Sequence, residues 1–228
     1  MNNKEWSEKI LQKYDSLFKH RWEIYDEIVK GALSSQMVWV DCGCGNDGMV
    51  ETYASLVKTA VGVDIIDPIH KRNYIKADIR HLPFPSDYAD LITLRFVVEH
   101  FQNSGEYIYE LTRAIKPGGQ IIILTTNLLS PFIFLPRLFL PSSIKSKILT
   151  KLFKVKDEDV FPAYHKMNTP DKFKKLTKNF RLKKMMFISD LNYTRKWVFI
   201  LLLIWHKITG MKILNKFRTN ILAILEKK

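Results

Sequence analysis

A chain of 228 residues with 46% apolar side chains is long enough for one α/β domain with a modest insertion. Its two cysteines, Cys42 and Cys44, lie two positions apart, too close for an ordinary disulfide and too few for a zinc site. The net charge of +13 is uneven: residues 1–128 hold 14 Lys/Arg against 17 Asp/Glu, and residues 129–228 hold 22 against 6. The second half therefore points to an anionic partner, whether membrane lipid, a phosphorylated substrate or nucleic acid, against the plainer account of lysines that merely solvate helices.

The opening Met1-Asn2-Asn3-Lys4-Glu5-Trp6 has no apolar signal-peptide core, which fits a cytoplasmic location. From Glu5 to Ala32 the apolar residues Ile10, Tyr14, Phe18, Trp22, Tyr25 and Ile28–Val29 recur at helical spacing. A buried strand from Val38 then ends at Asp41. It runs into Cys42-Gly43-Cys44-Gly45-Asn46-Asp47-Gly48, whose glycines have the spacing G-x-G-x-x-G. Glycines there let the backbone turn tightly and approach a ligand. A second strand, Thr59–Val63, ends at Asp64, 19 positions past Gly45, the offset at which a carboxylate can hold a ribose. The pair predicts an adenosine-containing cofactor, nicotinamide included.

A third strand precedes Ala77-Asp78-Ile79, which is followed by Leu82-Pro83-Phe84-Pro85-Ser86-Asp87 and a fourth strand ending near Arg95. Then come Arg113-Ala114-Ile115-Lys116-Pro117-Gly118-Gly119 and a strand over Gln120–Thr125. Alternating strands and helices predict a doubly wound parallel sheet, which binds ligands beyond the carboxyl ends of its strands. Asp41, Asp64, Asp78 and Arg95 all fall at such ends.

After Asn127 the character changes. Leu128–Pro141 is apolar but broken by Pro131, Pro136 and Pro141, and is read as neither strand nor long helix. Ser142 or Ser143 caps a basic amphipathic helix running to Phe153. Strands are expected over Leu182–Ser189 and Asn220–Glu226, with a helical region from Thr194 to Leu214 between them. That region contains nine consecutive apolar residues, Trp197–Trp205, whereas about 20 are needed to span a bilayer. Tryptophans at its ends and flanking lysines suit a bilayer surface; a homodimer interface or an apolar substrate tunnel fits the same block.

In this order and at these distances, the glycine turn, Asp64, the "LPF…D" element and the "KPGG" element resemble the class I S-adenosylmethionine-dependent methyltransferases, type 11 branch, over about Val38–Asn127. The resemblance implies a Rossmann-like doubly wound α/β sheet, mostly parallel with a C-terminal antiparallel strand, plus helical insertions. One methyltransferase domain would then occupy 1–228: a helical segment (1–35), a cofactor-binding core (36–127), a substrate or lid insertion (128–180) and a C-terminal hairpin holding the apolar helix (181–228). By the same resemblance Gly43 and Gly45 lie under the methionine part of S-adenosyl-L-methionine, which Asp41 contacts. Asp64 accepts from the ribose, Ile65 lies against the adenine, Asp78 and the Ile79 backbone meet the adenine edge, and Arg95 touches the carboxylate or ribose side. No metal is implied.

A sulfonium methyl is already activated, so the protein needs to align a nucleophile and, where necessary, remove a proton. Histidine is the first candidate base because it titrates near neutral pH. His100 follows the fourth strand, where Glu99 could orient it or cap the next helix, and His165 follows the insertion; His20, His70, His81 and His206 lack such context. The expected reaction is O-methylation of a small-molecule, amphipathic or lipid-linked acceptor, such as a quinone precursor or surface-glycan intermediate, at the inner face of a membrane. A soluble small-metabolite enzyme and a non-catalytic cofactor-binding protein are the alternatives. Nucleic acid ranks last among the partners, because no stacking platform or RNA module is visible.

Overall fold

The computed structural model describes residues 2–46, 48–66, 73–139 and 162–228. The basic helix expected from Ser142 to Phe153 lies outside them. The chain groups into two compact units: Met1–Ile24, Asn127–Pro162 and Phe187–Asn220 form one, and Tyr25–Thr126, Ala163–Met186 and Ile221–Lys228 the other.

The larger unit is built on a seven-stranded sheet. Its strands are β1 (Val38–Cys42), β2 (Thr59–Asp64), β3 (Tyr74–Lys76), β4 (Ala89–Arg95), β5 (Ile115–Thr126), β6 (Phe180–Ile188) and β7 (Asn220–Lys227), in the order β3-β2-β1-β4-β5-β7-β6. The first five pair in parallel. The last two run antiparallel: the Lys228 amide donates to Asn179 O at 3.1 Å, while the Thr219 hydroxyl reaches Ile188 O at the opposite ends of the two strands. β1 and β4 are buried along nearly their whole length, as the central strands of a parallel sheet are. Helices α2 (Arg21–Ala32), α3 (Met49–Tyr53), α4 (Ser104–Ala114) and α6 (Pro170–Lys175) accompany this sheet.

Two sequence elements connect physically here. Glu110 of α4 accepts the Leu82 amide at 2.7 Å, and Arg113 donates to Phe84 O at 2.8 Å and Leu82 O at 3.1 Å while gripping the Glu110 carboxylate. The "LPF" loop is thus held by the residue that opens the "R-A-I-K-P-G-G" run. The Lys-Pro-Gly-Gly segment, expected to precede the strand Gln120–Thr125, is a bulge inside β5. Ala89 pairs with Ile115 and Leu91 with Gln120, so the extra residues loop out between them, with Gly118 at φ +76°.

The smaller unit contains α1 (Asn3–Tyr14), α5 (Pro131–Phe139) and α7 (Lys196–Ile208). The single N-terminal helical region expected from the sequence is two helices, broken at Asp15. There the backbone leaves helical geometry, and the carboxylate is taken by His206 Nε2 at 2.9 Å and Lys207 Nζ at 2.8 Å. His206 Nδ1 lies 2.9 Å from the Ser189 hydroxyl, so this histidine ties three segments together. One face of α7 (Val198, Phe199, Leu202, Leu203) buries against Leu11 and Leu191, with Trp6 edge-on to Phe199. The proline-broken stretch does form a short helix, α5. Pro131 occupies its first position, where no intrahelical amide is needed, and Pro136 gives up one internal bond.

Candidate active site

The register of β1 places its carboxyl end for chemistry. Asp41 pairs with Gly62 of β2 on one side and Thr93 of β4 on the other. In a parallel pair, in-register side chains share a face, so Thr93 lies beside Asp41. Trp39 Nε1 donates to Thr93 Oγ1 at 2.9 Å, and that hydroxyl donates onward to Asp41 Oδ1 at 2.5 Å. Asp41 is only 4% exposed. Burial pushes its carboxyl up to about 6; the Thr93 bond and the Arg95 charge oppose that shift.

The turn beyond β1 is shaped by two glycines at positive φ, Gly43 (+70°) and Gly45 (+51°). A Cβ on Gly43 would come within 2.2 Å of Val97, so the loop packs on the residues after β4. A Cβ on Gly45 would meet nothing within 4 Å, leaving open space over that backbone. Asp64 holds the turn from β2: Oδ2 accepts the Gly45 amide at 2.8 Å and Oδ1 the Ile66 amide at 3.0 Å. Each oxygen retains a further lone pair, enough for two ligand hydroxyls. Ile65 beside it is 53% exposed, an apolar surface at the edge of the cradle.

Asp78 and Ile79 start a one-turn helix at the end of β3. Asp78 accepts the Arg80 amide at 2.9 Å and pairs with the Arg80 guanidinium at 2.6 Å, which holds its carboxyl below the usual range. Any ligand contact to Asp78 is therefore shared with Arg80. Ile79 is buried. Arg95 ends β4 with its guanidinium 5.7 Å from the Tyr25 ring. Phe96, next along, has φ +55°, an uncommon conformation for a bulky residue.

The two histidines, 65 positions apart in the chain, meet at Glu99. The carbonyl oxygen of Glu99 accepts both the Tyr164 amide at 2.8 Å and the His165 amide at 2.9 Å, and His100 is the next residue. His165 sits at φ +52° with Nδ1 3.4 Å from the Thr126 hydroxyl. Below it, Thr125 Oγ1 donates to the buried Glu99 carboxylate at 2.7 Å. Asn168 Nδ2 donates to Thr125 Oγ1 at 2.7 Å and to Thr126 O at 3.0 Å.

Sequence reasoning missed Thr93, Tyr25, Thr125, Thr126 and Asn168. Tyr25 shows in the sequence only as one member of an apolar stripe. In the structure it is fully buried, with Asp41 and Arg95 as its charged neighbours, and burial drives its phenol well above the ordinary value. Thr93 carried one signal, a hydroxyl in an otherwise apolar strand end. Among the described residues no cluster of His, Cys, Asp and Glu could hold a metal ion.

An open glycine cradle flanked by two strand-end carboxylates fits a ligand with ribose hydroxyls and a cationic group. Residues 40–123 match the family model described as "Methyltransferase domain". Over that segment the chain is similar to the domains that take S-adenosyl-L-methionine. It is 27% identical over 139 residues to the ubiquinone/menaquinone biosynthesis C-methyltransferase UbiE of Proteus mirabilis, covering 50% of this chain and 55% of that protein. It is 33% identical over 60 residues to the protein of the same name from Vibrio vulnificus, covering 26% of this chain and 22% of that one. The chain thus spans from 22% to 55% of the length of these curated relatives.

Among solved structures, it resembles phosphoethanolamine N-methyltransferase 2 of Haemonchus contortus with a TM-score of 0.60 at 16% identity, covering 90% of this chain and 52% of that one. The [4+2]-cyclase SpnF gives a TM-score of 0.57 at 13% identity, covering 92% and 84%. Likeness at these identities establishes the fold. That a protein named for cyclisation shares it separates fold from reaction.

Proposed function

We propose that this chain is an S-adenosyl-L-methionine-dependent methyltransferase acting on an amphipathic or lipid-linked acceptor at a membrane surface, from the cytoplasmic side. The observation that carries the reading is the cradle itself: Gly43 and Gly45 at positive φ between the strand-end carboxylates Asp41 and Asp64. When bound, the cofactor supplies an activated methyl group. Asp64 would hold its ribose, the buried Asp41 its cationic end, and Ile65 its base. Asp78, the Ile79 backbone and Arg95 complete the binding set.

The chain's own chemistry is then proton removal and alignment at the acceptor. His165 is the first candidate base, with Thr126 beside its Nδ1 and its backbone fixed by the Glu99 carbonyl; His100 is the second. A hydroxyl acceptor gives O-methylation. The name shared by the UbiE relatives supports a quinone precursor, methylated at carbon, as the other form of the same reading. The second class of function is cofactor binding without methyl transfer, because one fold can carry more than one chemistry.

Calorimetric titration with S-adenosyl-L-methionine, its demethylated product and NAD tests the cofactor. The first two should bind and NAD should not, and Asp64→Ala should bind neither, because it removes the acceptor for the ribose and releases the Gly45 and Ile66 amides. Transfer of labelled methyl groups into a lipid extract tests the acceptor. Tight binding of NAD alone would overturn the first half of the reading; label entering only water-soluble metabolites would overturn the second.

A further inference from the structure

The smaller unit carries an apolar surface that its own core does not use. On α7, Val198, Phe199, Leu202 and Leu203 are buried, whereas Trp197, Leu201, Ile204 and Ile208 are exposed, Trp197 by 58% and Ile204 by 52%. Their spacing of four, three and four residues puts the exposed side chains on one stripe. α5 adds to it. None of its residues is buried, Phe139 is 70% exposed, and Phe132 packs edge-on against Trp205 of α7 with ring centroids 5.9 Å apart. An apolar stripe on each of two neighbouring helices exceeds the scattered exposed residues of an ordinary surface.

The charge pattern says what covers it. From residue 191 to 225 the sequence holds six Lys/Arg and no Asp or Glu. Among the described residues two carboxylates of this unit are already paired, Asp15 with Lys207 at 2.8 Å and Asp190 with Arg21 at 2.5 Å. A second copy docked by two-fold symmetry would set these cations against their own equivalents. An anionic surface would neutralise them. At 13 residues α7 is too short to cross a bilayer, and among the described residues no helix is long and apolar enough to do so.

We propose that α7 lies in the plane of an anionic lipid bilayer, with Trp197, Leu201, Ile204 and Ile208 in the acyl boundary and Lys212 and Lys216 at the headgroups. The inference gives the proposed function its membrane partner, but it stands on the smaller unit alone.

The test is co-sedimentation of the full chain with phosphatidylcholine vesicles, with and without phosphatidylserine, at low and high salt. Binding should be about tenfold tighter to the anionic vesicles and should weaken as salt rises. Trp197→Ser combined with Ile204→Ser should abolish it, and Lys212→Glu combined with Lys216→Glu should abolish it without touching the apolar stripe. All variants should retain wild-type calorimetry with S-adenosyl-L-methionine. Equal or absent binding to the two vesicle types overturns the proposal, and so does a wild-type dimer that the Trp197/Ile204 pair converts to monomer with vesicle binding unchanged. Vesicle binding without cofactor binding would instead sink the proposed function and leave this inference standing.

Discussion

Asp41→Asn should make the protein more stable and its binding of S-adenosyl-L-methionine weaker. The wild-type carboxyl is buried and titrates near pH 6 rather than 3.8. Between those values the folded state holds a proton that the unfolded state has released, so stability falls as pH rises through the window. Fully ionised, the group costs about 3 kcal/mol relative to its neutral form. Asparagine keeps the acceptor for the Thr93 hydroxyl and removes the charge. Its new amide donors are buried among groups that did not need them, a cost of about 1 kcal/mol. The net gain at neutral pH is about 2 kcal/mol, or about 4–8 °C in melting temperature for a chain of this length. Near pH 4 the wild-type group is protonated and the gain should vanish. Thermal unfolding of both proteins across this pH range reads the stability, and calorimetry with S-adenosyl-L-methionine at neutral pH should show binding about tenfold weaker or worse. A variant less stable than wild type at neutral pH, or a stability gap that does not change with pH, would refute the reasoning.

Gly43→Ala forces a Cβ to within 2.2 Å of Val97 at φ +70°. It should cost about 1–2 kcal/mol for the left-handed backbone, plus the clash. Val97→Ala in the same chain should recover the clash part but not the backbone part, as read by urea unfolding. Arg113→Ala strands the buried Glu110 carboxylate and frees two loop carbonyls, for a loss of about 3 kcal/mol. Adding Glu110→Gln should return part of that loss; no recovery would place the cost in the lost carbonyl contacts. His165→Ala and His100→Ala should both bind the cofactor normally. If His165 is the base, only its variant flattens the rising acid limb of the pH–rate profile for methyl transfer to a hydroxyl acceptor, and an unchanged profile removes it from the role.

The parts of the site legible in the sequence are those where backbone geometry or a strand end dictates residue type. Gly43 and Gly45 are visible because only glycine adopts their φ cheaply, and Asp41 and Asp64 because a charge at the end of an apolar run has few structural uses. The "LPF" and "KPGG" elements could be recognised as recurring motifs, but their connection through Arg113 could not. A guanidinium's partners are set by tertiary placement, here 29 and 31 positions away in sequence. Tyr25 shows the opposite failure. Its helical spacing marks it correctly as buried, and nothing in that spacing tells that the burial lies beside Asp41. The break at Asp15 was hidden for the same reason. No proline or glycine marks it, and the partners that take its carboxylate, His206 and Lys207, lie at the other end of the chain.

Two buried carboxylates of the larger unit are treated in contrary ways, and the contrast separates scaffold from site. Glu110 is 6% exposed and fully engaged, by the Leu82 amide and by the Arg113 fork, so its carboxyl lies below the ordinary value. It stabilises the fold at neutral pH, and that contribution is lost only as pH falls through its depressed titration. Asp41 is as deeply buried but accepts a neutral hydroxyl, with Arg95 acting on it by charge, and burial outweighs both. It weakens the fold where Glu110 supports it. A structural carboxylate with that deficit would be replaced at no loss by a neutral residue of similar shape. Its presence at the end of β1, against the open face of a glycine turn, is explained if a cationic ligand supplies the missing partner. Binding should then tighten as pH rises through about 6, in the same window where the ligand-free protein loses stability.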